Sequence, residues 1–408
     1  MGAMADDVYN CRMPVTTQPD LLDEGFYADL DAMHETLAYL RANDPVYRDP
    51  KTGMVGVTRH ADVLDVERRA TVFVSSQGYR SMWSPQEDNM IAQDDPGHAE
   101  QRSLVARRLT PRGATREEPL IRALVDEALD AVADRGEMEV VDDLAAQYPS
   151  KLTCELLGFP RDRWRDLKSW SERMMRIDSI ARDSSGQVLV NLMGAIGEFQ
   201  SYLDEAVPRM RSEPDGSFIS VWANATVKGC PMADHTIMNE TGLFISGGAE
   251  TSRTAIGRGL RIFCDHPDQW DRLAAEPSLV PSAVEEVLRW VSPLNQMFRT
   301  AVAEDHIGGT AVHPGDRIML LYPSANRDDA VFEDPFRFDI TRNPNPHLAF
   351  GFGPHVCIGQ SLARLELEVL FAEMARRFTN LRVISEPVIE RNIFAGAVQR
   401  FDLAFDRR

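Results

Sequence analysis

One cysteine lies in a segment whose residue types could hold a metal. Cys357 is part of Phe350–Gly359, which reads FGFGPHVCIG and carries three glycines. Glycine lets a backbone approach another group closely, and a thiolate just before a helix is stabilised by the helix dipole and free N–H groups. We interpret Cys357 as a candidate metal-bound thiolate, in particular the axial sulfur ligand of a haem iron. A buried free cysteine on a glycine-rich turn is the alternative.

A second segment places an acid beside an alcohol within a long helical pattern. Residues 246–252 read SGGAETS, with Glu250 followed by Thr251. Two glycines inside a helix cost about 2 kcal/mol relative to alanine, so this helix is expected to need room or a kink. Phe244, Gly248 and Thr251 share one helical face. A hydroxyl and a carboxylate there could move protons, whereas a crossing of two helices at small residues is the alternative.

Two further pairs have spacings that bring their side chains together on helices. Glu286 and Arg289 are three residues apart, and His98 and Arg102 are four apart. Such pairs share a helix face, but an exposed ion pair adds only about 0.3 kcal/mol. Each pair could therefore belong to a solvated helix face or to a site that needs charged groups.

Hydrophobic periodicity predicts the elements that must position these residues. Helices are expected over 31–43, 98–110, 115–133, 140–157, 161–181, 186–211, 238–265, 279–290 and 357–378. A hairpin is expected from 46–48 and 54–57, further strands from 298–302 and 317–321, a long loop from 75–97 and an ordered meander from 335–354. A long loop in a compact domain is usually functional. The predicted fold class is mainly α with a minor β part.

The domain organisation follows from the absence of a linker-like segment. We expect an N-terminal tail over residues 1–20 and a single domain over residues 21–408 of the 408-residue chain. Met1 to Met4 are interpreted as a cloning remnant.

Composition excludes several classes of protein. The net charge of −19 repels phosphate backbones and anionic lipids, so neither nucleic-acid binding nor a basic membrane anchor is expected. The five scattered cysteines form no CxxC pair, which excludes a disulfide framework, a zinc ribbon and covalent haem attachment. No apolar run approaches the ~18 residues of a membrane span. With no visible signal peptide, a cytoplasmic protein is expected.

The Cys357 segment resembles the cysteine-ligand loop of the cytochrome P-450 haem-thiolate monooxygenases, FGxGxHxCxG, and fills every fixed position of that pattern. Residues 246–252 are similar to the family's oxygen-activation motif, (A/G)Gx(D/E)T(T/S). Glu286 and Arg289 are similar to its ExxR pair, and Arg342 matches the third member of that structural ion network. The resemblance runs from about residue 44 to residue 405.

The resemblance implies a cytochrome P-450 fold built as a single domain around a buried haem. It implies haem b with Cys357 as the axial thiolate, Thr251 hydrogen-bonded to oxygen and Glu250 relaying protons. His98, Arg102, Arg299 and His355 match positions that bind the haem propionates. Further residues matched to the haem site are Phe350, Gly351, Gly359 and Gly248.

The implied activity is insertion of one atom of dioxygen into a hydrophobic substrate. Electrons would come from NAD(P)H only indirectly, through an external ferredoxin and ferredoxin reductase. An acidic ferredoxin could dock on a basic patch formed by Arg107, Arg108, Arg112, Arg364, Arg376 and Arg377.

The substrate pocket is predicted from apolar residues in the long loop and near the other motifs. The candidate walls are Met82, Trp83, Met90, Ile91, Phe244, Leu294, Met297, Phe394 and Val398. The chain looks most similar to actinobacterial-type members, several of which oxidise steroids, terpenoids or branched fatty-acyl chains.

Two other functions remain open at this stage. One is a peroxygenase driven by hydrogen peroxide, and the other is a haem-thiolate sensor or carrier without catalytic activity. Glu250 and Thr251 argue against both, because neither function needs an acid–alcohol pair for oxygen activation.

Overall fold

The computed structural model describes residues 16–408. Most of the predicted tail, Met1 to Met4 included, lies outside the described residues, so the expected boundary at residue 21 stays a prediction. The described end of the tail contacts the body, because Arg182 donates to Asp20 at 2.9 and 3.0 Å. The α-helices are α1 (Glu24–Ala28), α2 (Leu30–Asn43), α3 (His60–Arg68), α4 (Gly97–Leu109), α5 (Pro111–Ala114), α6 (Glu118–Ala133), α7 (Gln147–Leu157), α8 (Trp164–Met174), α9 (Gln187–Ser212), α10 (Phe218–Ala223), α11 (Asp234–Asp265), α12 (Pro267–Ala275), α13 (Val280–Val291), α14 (Tyr322–Ala325) and α15 (Gln360–Arg377).

Short strands form the minor β part of the fold. They are β1 (Val46–Arg48), β2 (Val55–Val57), β3 (Phe73–Val74), β4 (Glu137–Glu139), β5 (Thr226–Val227), β6 (Cys230–Pro231), β7 (Gln296–Ala301), β8 (Asp305–Ile307), β9 (Thr310–Val312), β10 (Arg317–Leu321), β11 (Phe378–Val383), β12 (Val388–Ile389), β13 (Val398–Arg400) and β14 (Asp402–Arg407). The largest sheet has the order β1-β2-β10-β7-β3. The predicted hairpin is confirmed, with Tyr47 opposite Gly56, and so is the mainly α fold class.

Three predicted helices are shorter than expected. The pattern over 140–157 divides into a π turn, Val141–Ala145, and α7, whose first turn contains Pro149 because a proline N–H is not needed there. The pattern over 161–181 divides into α8 and a 3-10 turn, Ile177–Arg182. The last helix begins at Gln360 rather than at Cys357.

Helix α11 is the central element, and it contacts α7, α8 and α13. Its glycines allow close approach of neighbouring elements. A Cβ on Gly248 would lie 2.7 Å from the Thr153 hydroxyl of α7, and one on Gly259 would lie 3.0 Å from Val287 of α13. Gly247, by contrast, has no heavy atom within 4 Å of that position. Gly248 and Gly259 thus allow helices to cross closely, whereas Gly247 borders an open space. Among residues 16–408, no helix has the length and apolar character needed to span a bilayer.

Candidate functional site

A cavity of about 1700 Å³, its open mouth included, lies between α11 and the loop before α15. Apolar side chains from six or more elements form most of its wall. The segment around Cys357 lies on one side, and Gly247, Gly248 and Thr251 of α11 also line it. The two motifs that the sequence singled out therefore face one shared space.

The loop that carries Cys357 is fixed by its glycines. The Cys357 N–H donates to the Phe350 carbonyl at 2.8 Å. Gly351 and Gly353 have φ values of 66° and 72°, a left-handed conformation that other residues adopt only with strain. A Cβ on Gly353 would lie 2.5 Å from the backbone oxygen of Glu67 in α3. This contact holds the loop against α3.

Cys357 lines the cavity. Burial in the protein raises the pKa of the Cys357 thiol, while the Gly359 N–H and the Arg102 guanidinium act in the opposite direction. A coordinated metal cation deprotonates a thiol outright. The sulfur is therefore a candidate ligand for a metal in this cavity.

His98, Arg102, Arg299 and His355 all line the same cavity. The Arg102 guanidinium donates to the Val356 carbonyl at 2.7 Å, which ties α4 to the cysteine loop. His98 contacts Asp95 through Nδ1 at 3.0 Å, but its buried Nε2 has no hydrogen-bond partner in the described part of the chain. An unpaired buried polar atom is costly, so it indicates a missing partner. The carboxylates of a haem fit this set of donors.

Arg299 lies beside a buried acid that the sequence did not single out. Its Nη2 is 3.8 Å from Glu67 Oε1, and Tyr322 donates to the same oxygen at 2.8 Å. Burial raises the pKa of Glu67 to about 7, against the opposing effect of Arg299. Glu67 thus orients Arg299 without fully neutralising its charge.

Thr251 and Glu250 point in different directions from α11. The Thr251 hydroxyl donates to the Gly247 carbonyl at 2.8 Å, and the residue lines the cavity. Glu250 does not line it and is 2% exposed. Its carboxylate instead contacts the Arg253 guanidinium, and burial raises the pKa of Glu250.

The partners of Glu250 lead towards the surface. Arg253, itself 2% exposed, also contacts Glu172, whose side chain is 37% exposed. Arg253 and Glu172 line a second, polar cavity together with Glu390. Glu250, Arg253 and Glu172 therefore form a chain of charged groups from the helical turn of Thr251 to solvent.

Six predicted pocket residues line the main cavity and three do not. Those that line it are Met90, Ile91, Phe244, Leu294, Met297 and Phe394. The prediction was wrong for Met82 and Trp83, which are 41% and 54% exposed because this part of the loop faces solvent. The Trp83 indole N–H donates to the Ser76 carbonyl at 3.0 Å. It was also wrong for Val398, which is fully buried against Gly257, outside the cavity.

The predicted ion network is buried and bidentate. Arg289 and Glu286 are joined at 2.7 and 2.8 Å, and both are 0% exposed. Arg289 also donates to the carbonyls of Asn326 and Pro335, each at 2.9 Å. Arg342 lies 3.2 Å from Glu286. These bonds fasten α13 to the meander that leads to the cysteine loop.

Two charged residues of the cavity wall were missed by the sequence analysis. Glu366 of α15 is buried, and burial raises its pKa to about 8. Arg80 is a buried cation in the loop before α4. No pattern distinguishes them, since glutamate on a helix and arginine in a polar loop are usually exposed.

Comparisons with known proteins define the family of the chain. The family profile described as Cytochrome P450 matches residues 187–392. The steroid C26-monooxygenase of Mycolicibacterium smegmatis is 39% identical over 93% of this chain and 95% of its own length. The linalool 8-monooxygenase of Pseudomonas putida is 30% identical over 95% and 98%. The solved structure of Mycobacterium marinum cytochrome P450 CYP268A2 with pseudoionone has a TM-score of 0.88, at 27% identity over 96% and 99%.

The chain belongs to the cytochrome P450 family. It is a P450 monooxygenase, an oxidoreductase whose family uses a haem with a thiolate ligand.

Proposed function

We propose that this chain uses haem b and electrons from a ferredoxin to oxidise the hydrocarbon part of a steroid, terpenoid or branched fatty-acyl substrate. The observation that carries the proposal is the apolar cavity with Cys357 on one side and Thr251 on another. The relatives named steroid C26-monooxygenase and linalool 8-monooxygenase support a substrate of this kind.

The residues that would hold the haem are assigned by their chemistry. Cys357 would be the iron ligand, and His98, Arg102, Arg299 and His355 would hold the propionates. Phe350, Gly351, Gly359 and Gly248 line the same cavity and would lie beside the ring. When bound, haem supplies the activation of dioxygen and the transfer of one oxygen atom.

Protons would reach the cavity through this chain's own side chains. The Thr251 hydroxyl is the polar group of α11 placed to hydrogen-bond a ligand in the cavity. Glu172 and Glu250 would exchange protons between solvent and the Thr251 turn, while the Arg253 guanidinium, which stays charged, would hold both carboxylates in place. Apolar walls keep bulk water from the reacting groups.

The predicted ferredoxin patch needs revision. Four of its arginines already pair with acids: Arg108 with Glu117, Arg364 with Glu285, Arg376 with Glu373 and Arg377 with Asp126. Arg107 and Arg112 are exposed and, among the described residues, have no ion pair. Arg68 is also exposed and lies over the Phe352 ring of the cysteine loop at 5.2 Å. We assign ferredoxin docking to Arg68, Arg107 and Arg112.

Charge reversal tests this docking surface. The double variant Arg107→Glu and Arg112→Glu is expected to slow reduction by an acidic ferredoxin at low salt, because like charges slow association. The double variant Arg376→Glu and Arg382→Glu, in another exposed region, is the control. An equal reduction rate for both double variants across ionic strength would refute the assignment.

Product analysis tests the function itself. The haem-loaded enzyme is given steroids, terpenoids and branched fatty acids, either with NADH, ferredoxin and reductase or with hydrogen peroxide alone. The proposal expects hydroxylated product only with the electron-transfer chain. Product with peroxide alone would indicate a peroxygenase, and no product under either condition would favour a sensor or carrier.

A further inference from the structure

One charged side chain of the main cavity wall belongs to neither the predicted haem-binding set nor the Thr251 helix. Arg80, in the loop between β3 and α4, lines the cavity and is only 8% exposed. Its guanidinium carbon lies 4.6 Å from the centre of the Phe394 ring and 5.3 Å from that of Tyr79. These rings hold the guanidinium in place by cation–π contacts.

The hydrogen-bonding capacity of Arg80 is not satisfied by its neighbours. Its buried Nη1 has no hydrogen-bond partner among residues 16–408. The closest carboxylate oxygen, Asp178 Oδ2, is 3.9 Å away, too far for a hydrogen bond. The other oxygen of Asp178 accepts from the Ser81 N–H and hydroxyl at 2.8 and 2.5 Å. The Tyr79 hydroxyl donates to Glu87 and its oxygen also interacts with the Arg80 guanidinium, which leaves Nη1 as the donor without a partner among the described residues.

Burying this guanidinium costs free energy unless a hydrogen-bond acceptor binds to it. Arginine offers five N–H donors and no acceptor, and a buried donor left without a partner loses its hydration without compensation. The Arg80 backbone is also fixed, because Arg317 donates to the carbonyls of Gly78 and Arg80. The side chain is therefore presented to the cavity by a rigid loop.

The local charge balance indicates which acceptor fits. Two cations, Arg80 and Arg317, are accompanied by two acids, Asp178 and Glu87. A carboxylate ligand would add a third anion near Asp178. A ketone or hydroxyl oxygen would accept a hydrogen bond without disturbing this balance.

We propose that Arg80 is a specificity-determining residue that donates a hydrogen bond to a neutral oxygen, a ketone or hydroxyl, on an otherwise hydrophobic substrate. The inference rests on the proposed function, since it takes the main cavity to be the substrate site. Arg80 would discriminate between substrates by an oxygen that they carry before the reaction. The reaction class that supplies this substrate must therefore deliver it as an alcohol or ketone.

Matched ligands test the proposal on the haem-loaded enzyme. Binding is followed by the shift of the haem absorption band for three pairs: cholest-4-en-3-one with cholest-4-ene, geranylacetone with its parent hydrocarbon, and 2-tridecanone with tridecane. At least one ketone is expected to bind about tenfold or more tightly than its hydrocarbon, the range of a hydrogen bond to a charged group. Tridecanoic acid is expected to bind no more tightly than 2-tridecanone.

Variants then assign the preference to Arg80. Arg80→Met is expected to reduce the ketone preference to about twofold or less, with Arg80→Lys intermediate because it keeps the charge but loses the planar fork. Arg122→Met, at an exposed position on α6, is expected to keep the full preference. Haem content and the carbon monoxide spectrum of each variant show separately whether the P450 site is intact.

Several results would overturn the proposal. One is that the unmodified enzyme binds ketone and hydrocarbon equally well or binds neither. Another is that it binds tridecanoic acid more tightly than 2-tridecanone. Equal weakening of ketone and hydrocarbon in Arg80→Met, or loss of haem from that variant, would assign Arg80 to the haem site or the fold instead. A failed carbon monoxide spectrum in the unmodified enzyme would contradict the proposed function, whatever the ligand preference.

Discussion

The imidazole rings of His98 and His355 lie 4.1 Å apart, centre to centre, at an angle of 38°. Burial, with Arg299, His98 and Arg102 nearby, lowers the pKa of His355 to about 2. A neutral His355 ring can pack against His98 without charge repulsion. The contact thus joins the start of α4 to the cysteine loop and leaves the His98 Nε2 for a ligand.

His98→Phe is expected to keep the ring contact and to lose the N–H donor. If His98 holds a propionate, haem should dissociate about tenfold faster, because a hydrogen bond to a charged group is lost. Transfer of haem to apomyoglobin measures this rate. His313→Phe, at an exposed site, is the control, and equal rates for the two variants would remove His98 from the haem site.

Thr251→Ala is expected to retain haem and to divert electrons to hydrogen peroxide. The substitution removes the hydroxyl on the cavity side of α11, while alanine maintains the helix. The measurement is product formed per NADH consumed, together with peroxide released. Thr241→Ala, a buried hydroxyl bonded to the Ile237 carbonyl one turn of helix earlier, is the control. Tight coupling in Thr251→Ala would contradict the assigned role.

Glu286→Gln tests the buried ion network at the meander. The change leaves Arg289 as a buried cation without its counter-charge, which costs about 3–5 kcal/mol. Urea unfolding should show this loss, accompanied by reduced haem retention. Glu373→Gln, which removes an exposed pair with Arg376, should cost less than about 1 kcal/mol. Similar losses for both would show that the buried network is not essential.

Glu240→Gln is expected to be more stable than the unmodified protein at high pH. Burial raises the pKa of Glu240 from 4.5 to about 8, and Asp88 adds to this effect. Between these values the folded state holds a proton that the unfolded chain releases, so the unmodified protein loses stability as pH increases. Glutamine still accepts from the Met90 N–H, as Glu240 does at 2.8 Å.

Unfolding free energies at pH 5 and pH 9 measure this effect. The advantage of Glu240→Gln should be larger at pH 9 by about 2 kcal/mol or more, since each unit of pKa shift is worth about 1.4 kcal/mol. Glu213→Gln, at an exposed position, should show no such trend. A pH-independent difference would place the Glu240 pKa near its ordinary value.

The sequence predicted the parts of the site that depend on local pattern. Helix α11 was predicted from its periodicity, and the segment around Cys357 was assigned through its resemblance to the family's cysteine-ligand loop. The side of the 75–97 loop that faces the cavity could not be predicted. Met90 and Ile91 line the cavity while Trp83 faces solvent, a difference set by long-range contacts such as Ser81 with Asp178.

Ion pairs between residues distant in sequence could not be predicted either. Arg364 and Arg377 looked like free surface cations, yet their partners Glu285 and Asp126 come from helices distant in sequence. Arg80 looked like an ordinary loop residue and is instead buried in the cavity wall. Each of these results depends on tertiary packing, which residue spacing does not encode.

The absorption spectrum of the reduced, carbon monoxide-bound protein shows whether Cys357 binds a haem iron. We expect the red-shifted band of thiolate-ligated haem, lost in Cys357→Ser and kept in Cys264→Ser, a partly buried cysteine outside the cavity. A protein that takes up no haem, or the spectrum of a histidine-ligated haem, would contradict it.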